Sequence, residues 1–235
     1  MTEFLQTAHE NLTFLLTCLA IVAALVLIAW LTEKLLIKKP QRIRSAKSVA
    51  FIAVFGAIAA MLMFLEFPLF FAPFFYEIDF SEIPVLICTF YLGPVAGVIC
   101  EFVKIVLKLL IKGTSTAFVG DFANFVVACS LVLPASIIYH CKKSKKSAII
   151  GMAVGTLTMT VFGSLFNAVY LLPKFARLYG MPLEAIIAIG TEINPSIVSV
   201  STLVLFAVVP FNLLKGIVVS FITLLLYKRV ERLLK

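Results

Sequence analysis

Five side chains able to carry charge or hydrogen bonds stand within or at the ends of long apolar stretches: Asp121, Asn124, Asn167, Asn212 and Lys215. Groups of this kind in membrane helices face the interior of a bundle, pair there and often mark a substrate site. A second set is aromatic. The segment EFPLFFAPFFYEIDFSE, residues 66–82, holds Phe67, Phe70, Phe71, Phe74, Phe75, Tyr76 and Phe80, interrupted by Pro68 and Pro73 and edged by Glu66, Glu77, Asp79 and Glu82. An interfacial aromatic belt needs only a ring or two per helix end, so Phe71, Phe75 and Tyr76 read as a lid over a flat ligand. Aromatic surface with a few placed donors and acceptors suits a flat, polar-edged small molecule. The plainer use of the same polar groups is helix–helix hydrogen bonding, worth about 0.6 kcal/mol per bond on average in a membrane.

Other chemistries find little support. There is no paired His, nucleophile–base pair or acidic pair at metal spacing, which argues against an enzyme, and no GxxxxGK[ST] for ATP hydrolysis by this chain. His9 and His140 stand alone, and Cys18, Cys88, Cys100, Cys129 and Cys141 are scattered without a CxxC pair. No metal or cofactor is expected. The net charge of +8 would fit nucleic acid, but fourteen of the twenty Lys and Arg crowd into three short segments beside hydrophobic runs: Lys34–Lys47, Lys142–Lys146 and Lys228–Lys235. That placement is the positive-inside pattern of a cytoplasmic face, so nucleic acid is not an expected partner and the lipid bilayer is.

The elements that must position these residues follow from composition. The chain of 235 residues is 62% hydrophobic and 14% charged, with mean hydropathy +1.12, against about 25% charged in soluble domains. Its apolar runs approach the length a helix needs to cross a roughly 30 Å hydrocarbon core, whereas spanning strands would alternate. An all-α integral membrane protein is expected. The runs predict spans over 11–36, 47–65, 122–139 and 148–172, two short helices over 83–110 joined near Gly93–Pro94, and a final helix of about 210–229 that Pro210 divides from the segment before it. The count is one extra N-terminal transmembrane helix with a basic linker, residues 1–40, and a six-helix core, residues 41–235. No small-residue cleavage site follows the first run, so a removed signal peptide is not expected. The basic segments place the N-terminus outside and the C-terminus in the cytoplasm of a multi-pass cell-membrane protein.

That topology sets depths. Asp121 and Asn124 begin a descending helix, Asn167 ends a rising one, and Asn212 and Lys215 lie in the outer half of the last helix, with Lys112 and Thr114 at the same side. A pocket opening outward is therefore predicted. Lys112 is expected to snorkel outward and Lys104, near the inner end, to pair with Glu101 or lipid phosphate, while Asp79 and Glu82 are expected to shape the loop and cap the next helix. Gly151-xxx-Gly155 signals close helix packing. Ala46, Ala50, Ala53, Ala57 and Ala60 form a smooth stripe on one helical face, which serves either internal packing or a partner interface.

In chain order, EIDFSEIP, LGPVAGVICEFVK, GDFANF with VLPASIIY, FNAVYLLP and VPFNLLKG resemble the riboflavin-specific substrate-binding subunits, or S components, of energy-coupling factor (ECF) transporters, over roughly residues 47–232. The resemblance implies a six-helix bundle that captures the vitamin from outside. It also implies docking through small residues on the first core helix onto a transmembrane coupling subunit with two ATPase subunits. It assigns Asn124, Asn167 and Lys215 to hydrogen bonds with the flavin ring edge or ribityl hydroxyls. Lys174 and Arg177 leave riboflavin and FMN both open. The alternatives are capture of thiamine, biotin or folate, a membrane-embedded enzyme using Asp121, Glu101 or the lysines, and a purely structural assembly subunit.

Overall fold

The structure is a computed structural model that describes residues 2–37 and 45–233. Lys38, Lys39, Arg42 and Arg44 of the basic linker, the boundary drawn at residues 40–41, and Lys235 lie outside the described residues. The all-α class holds. The helices are α1 (Thr2–Leu36), α2 (Ala46–Met63), α3 (Glu82–Leu92), α4 (Pro94–Lys112), α5 (Val119–Cys141), α6 (Lys145–Phe166), α7 (Leu172–Leu178), α8 (Leu183–Ile193), α9 (Val200–Leu203) and α10 (Val209–Leu233). One two-residue ladder, β1 (Phe67–Pro68) against β2 (Glu77–Ile78), closes the aromatic loop.

Among the described residues, five helical stretches are long and apolar enough to cross a membrane: Leu16–Leu36, Ala46–Met63, Val119–Cys141, Lys145–Leu178 and Val200–Val230. The seven-span count expected from the sequence is larger because it includes α3 and α4. The eleven residues of α3 rise only about 16 Å, half a hydrocarbon core, and almost all of them are buried in protein. A broken hairpin is tolerated at membrane depth when protein surrounds it. Gly93 makes the break: its φ of 120° suits a residue without a Cβ, and Pro94 then starts α4 without wasting an N–H.

Close packing holds the bundle together. The predicted Gly151-xxx-Gly155 signal is used by α6 against α5: a Cβ there would lie 2.7 Å from the Ala135 carbonyl oxygen and 2.5 Å from that of Leu131. Without a hydrophobic driving force between helices in lipid, such approach supplies dispersion contacts instead. Thr156, Thr160 and Asn167 are all buried, and Thr156 Oγ1 lies 3.3 Å from Ser220 Oγ of α10. α1 packs on α4 and α5 through Val22, Val26 and Ala29 and leaves Leu27, Trp30 and Leu31 exposed.

Pro210 does not divide two segments, contrary to expectation. The backbone runs helical from Val200 to Leu233, with π-helical turns over Val204–Val208 just before the proline. A proline ring crowds the carbonyl four residues back and offers no N–H; the wider π turn takes up the mismatch. Pro173 repeats the device after the π stretch Asn167–Leu171. Both π stretches pack against each other, and the first carries Asn167.

Candidate functional site

The aromatic loop folds over one end of the bundle. Phe71, Phe75 and Tyr76 turn inward onto Ala72, Leu172, Ala176, Leu203 and Ala207, while Phe70 and Phe74 stay 91% and 67% exposed. The loop is tied at both ends. Glu66 pairs with Lys112 at the end of α4, and the Tyr76 hydroxyl donates to Asn167 Oδ1 at 2.9 Å. Asn167 Nδ2 donates in turn to the Gly163 carbonyl at 2.8 Å, which fixes the amide. Burial pushes the Tyr76 phenol up, and burial followed by the nearby Glu66 carboxylate raises Glu77.

Beneath this loop lies a cavity of about 180 Å³. The loop gives it Phe75, Tyr76 and Glu77; α3 gives Glu82; α5 gives Gly120, Ala123, Asn124, Val127 and Ala128; α6 and its π stretch give Met159, Asn167 and Leu171; α7 gives Phe175; α10 gives Phe211, Asn212 and Lys215. Asn124, Asn167, Asn212, Lys215, Phe75 and Tyr76 are thus brought together as the sequence predicts. Asp121, Thr114 and Phe71 are not on the wall. Asp121 is buried in an ion pair with Lys108. Thr114 Oγ1 accepts the N–H groups of Thr116 and Phe118, at 3.3 and 2.9 Å, and shapes the turn into α5. Phe71 packs in the apolar layer beneath the loop. Sequence reasoning missed Glu82, Phe175 and Phe211; the last two looked like ordinary core aromatics.

Behind the wall is a buried ionic cluster that corrects two further expectations. Lys104 makes the expected pair with Glu101 but does not reach lipid phosphate. It is fully buried at the middle of α4, paired with Glu101, and its Nζ donates to Ser81 Oγ at 3.1 Å, Asn124 Oδ1 at 3.2 Å and Glu82 Oε1 at 3.4 Å. With α3 and α5 against this face, the ammonium has protein partners and no path to lipid phosphate. Asp79 and Glu82 do more than shape a loop. Asp79 Oδ1 does accept the Ser81 N–H at 2.8 Å, yet Asp79 Oδ2 accepts from Lys215 at 2.8 Å, and Glu82 Oε1 lies 3.2 Å from the same ammonium. Taking such charges out of water costs several kcal/mol per ion, about what close partners return. The cluster therefore fixes geometry more than it adds stability. Among the described residues no group of three His, Cys, Asp or Glu is placed to hold a metal ion.

The predicted small-residue stripe on α2 divides. Ala46, Ala50 and Ala53 are exposed, Ala57 is half-buried, and Ala60 is packed inside at 1% exposure.

A helical membrane protein with a lidded, polar-floored cavity at one end is a candidate for binding a small molecule. Comparison with known proteins defines which kind: residues 47–227 match the model of the ECF transporter substrate-specific component, and the chain belongs to that family. It is 37% identical to the riboflavin transporter RibU of Staphylococcus aureus strain TCH60 over 80% of this chain and 93% of that protein. It is 30% identical to the riboflavin transporter FmnP of Bacillus subtilis strain 168 over 79% and 92%. A solved S component of a bacterial ECF transporter superposes with a TM-score of 0.63 at 39% identity, over 80% of this chain and 98% of that one. The family match begins at residue 47 and so leaves α1 outside it.

Proposed function

We propose that this chain captures riboflavin from outside the cell in the cavity beneath the aromatic loop and delivers it inward, without chemistry of its own, when docked on an ECF coupling subunit and two ATPase subunits. The observation that carries the reading is the meeting of Asn124, Asn167, Asn212 and Lys215, from three separate helices, at one cavity beneath Phe75 and Tyr76. Donors and acceptors at one wall and rings at another match a flat heterocycle with a polar edge. The riboflavin named for the relatives gives that heterocycle its identity here.

Orientation follows from charge. Lys142, Lys143, Lys145 and Lys146 lie at the far end of α5 from Asn124, so a cytoplasmic basic face puts the cavity on the outer side, the N-terminus outside and the C-terminus inside. Docking uses the exposed Ala46, Ala50 and Ala53 with the half-buried Ala57, where small side chains admit a partner helix; Ala60 is already covered. FMN is a second ligand on one observation: α7 brings Phe175 to the cavity and carries Lys174 and Arg177 beside it.

Titrating the purified protein with riboflavin, FMN and thiamine tests the reading. Flavin fluorescence should be quenched at one equivalent of riboflavin and stay quenched against excess thiamine. Protein that leaves riboflavin fluorescence unchanged refutes it.

A further inference from the structure

The helix that the family match leaves out carries a buried acid. Glu33 lies in the last turn of α1, is 6% exposed, and its Oε1 has no hydrogen-bond partner among the described residues. A buried acceptor left open is costly, so its surroundings matter. They are set by Gly93, where a Cβ would lie 2.6 Å from that oxygen. Gly93 is the residue at which α3 breaks into α4, and it is the N-cap of α4. An N-cap residue ordinarily offers a side-chain oxygen to the N–H groups of the first turn; Gly93 has none to offer. Pro94 brings no N–H, and the amides of Val95 and Ala96, both buried, have no carbonyl of their own helix in reach. Donors without a helical partner and an acceptor without any meet at one helix end, at a depth where lipid supplies no water to replace either.

We propose that Glu33 caps α4 from outside it, standing in for the side chain that Gly93 lacks, and so fixes α1 to the core as a working part of the binding unit rather than a loose membrane anchor. The carboxyl group offers an acceptor oxygen in either ionic form, and the helix dipole favours an acid at a helix start. The rest of α1 supports the contact: Val22, Val26 and Ala29 pack against α4 and α5, and Ile37 just beyond Glu33 is buried. Gly93 is required here twice, once for its φ of 120° and once because only a missing Cβ admits the carboxyl group. The same break is tied to α5 from its other side. Ser136 Oγ donates to the Thr89 carbonyl at 3.4 Å, and Thr89 Oγ1 donates to the Gly93 carbonyl at 3.0 Å. The two helices joined at Gly93 carry Glu82 and Lys104 to the back of the cavity, so α1 steadies the frame of the site from outside it.

The test is amide hydrogen exchange of the purified full chain at the first turn of α4, for wild type, E33Q and E33M, with melting temperatures alongside. E33Q keeps an acceptor oxygen; E33M keeps only the bulk. In E33M the amides of Val95 and Ala96 should exchange roughly two- to thirtyfold faster, the span of a lost helix cap, and the protein should melt lower. E33Q should stay close to wild type in both. Exchange in E33M no faster than in wild type overturns the cap, and so does E33Q that exchanges as fast as E33M, which would leave no part for the acceptor oxygen. A second measurement stands apart from the first and needs no intact cap: G93A should lower the melting temperature less in an E33A background than in wild type, because the backbone strain remains while the collision with the carboxyl group is gone. Equal losses in the two backgrounds would show that Glu33 and Gly93 do not meet, and would overturn the proposal.

Discussion

The ammonium of Lys215 on α10 donates to Asp79 Oδ2 at 2.8 Å, joining the helix that floors the cavity to the residue that follows the lid's second strand. Glu82 shares the same ammonium, and Lys104 links Glu82 onward to Glu101 and Asn124. Three carboxylates therefore face two ammonium groups, and cations are the scarcer partner.

Removing a cation should cost more than removing an acid. Lys215→Ala leaves Asp79 and Glu82 short of a buried partner and should lower stability by about 3–5 kcal/mol. Asp79→Asn leaves Lys215 with Glu82 and should cost about 1–3 kcal/mol. Thermal unfolding of the two purified variants in detergent gives the order, and a larger loss in Asp79→Asn would contradict it.

Lys104 and Lys112 lie on the same helix and should behave oppositely. Lys104 is fully buried, whereas the Lys112 side chain is 52% exposed in its pair with Glu66. Lys104→Met should destabilise by several kcal/mol, and Lys112→Met by no more than about 1 kcal/mol. Equal melting temperatures for the two variants would place Lys104 in contact with lipid or water.

Tyr76 holds the lid to Asn167. Tyr76→Phe keeps the ring beside Phe211, with centroids 5.6 Å apart, but loses the hydroxyl and its bond. One such bond is worth about 0.5–1.5 kcal/mol, so flavin should dissociate roughly two- to tenfold faster. Stopped-flow release with an unchanged rate would show that the lid is held elsewhere.

On α2, exposure separates two alanines of one stripe. Ala53→Leu adds bulk on an exposed face and should leave flavin binding intact while abolishing uptake by the assembled transporter. Ala60→Leu overfills a packed site and should cost about 1–3 kcal/mol of stability. Uptake retained in Ala53→Leu would move the docking face off this helix.

Much of this was legible in the sequence because lipid leaves few choices. Long apolar runs must be helical, basic flanks set direction, and polar residues at matching depth must find each other; Asn124, Asn167, Asn212 and Lys215 were reached that way. Lys104 was legible only in part: its pair with Glu101 follows from spacing on one helix, but its partners Ser81, Glu82 and Asn124 come from the start of α3 and from α5, whose approach only the fold reveals. Glu82 was hidden for a related reason. An acid beginning a helix is ordinarily a cap, and only the fold reveals Lys104 and Lys215 converging on it from α4 and α10. Pro210 misled because a proline breaks an α-helix but not one that widens into a π turn first. The split of the alanine stripe, with Ala60 inside, depends on packing that periodicity does not encode.

The most direct measurement is riboflavin affinity, by fluorescence quenching, for wild type, Asn167→Ala, Lys215→Ala and Lys143→Ala, the last at the far end of the bundle. Binding at one equivalent in wild type and Lys143→Ala, weakened about tenfold or more in the other two, is the predicted result. Equal affinity in all four proteins would mean that the flavin does not sit in this cavity.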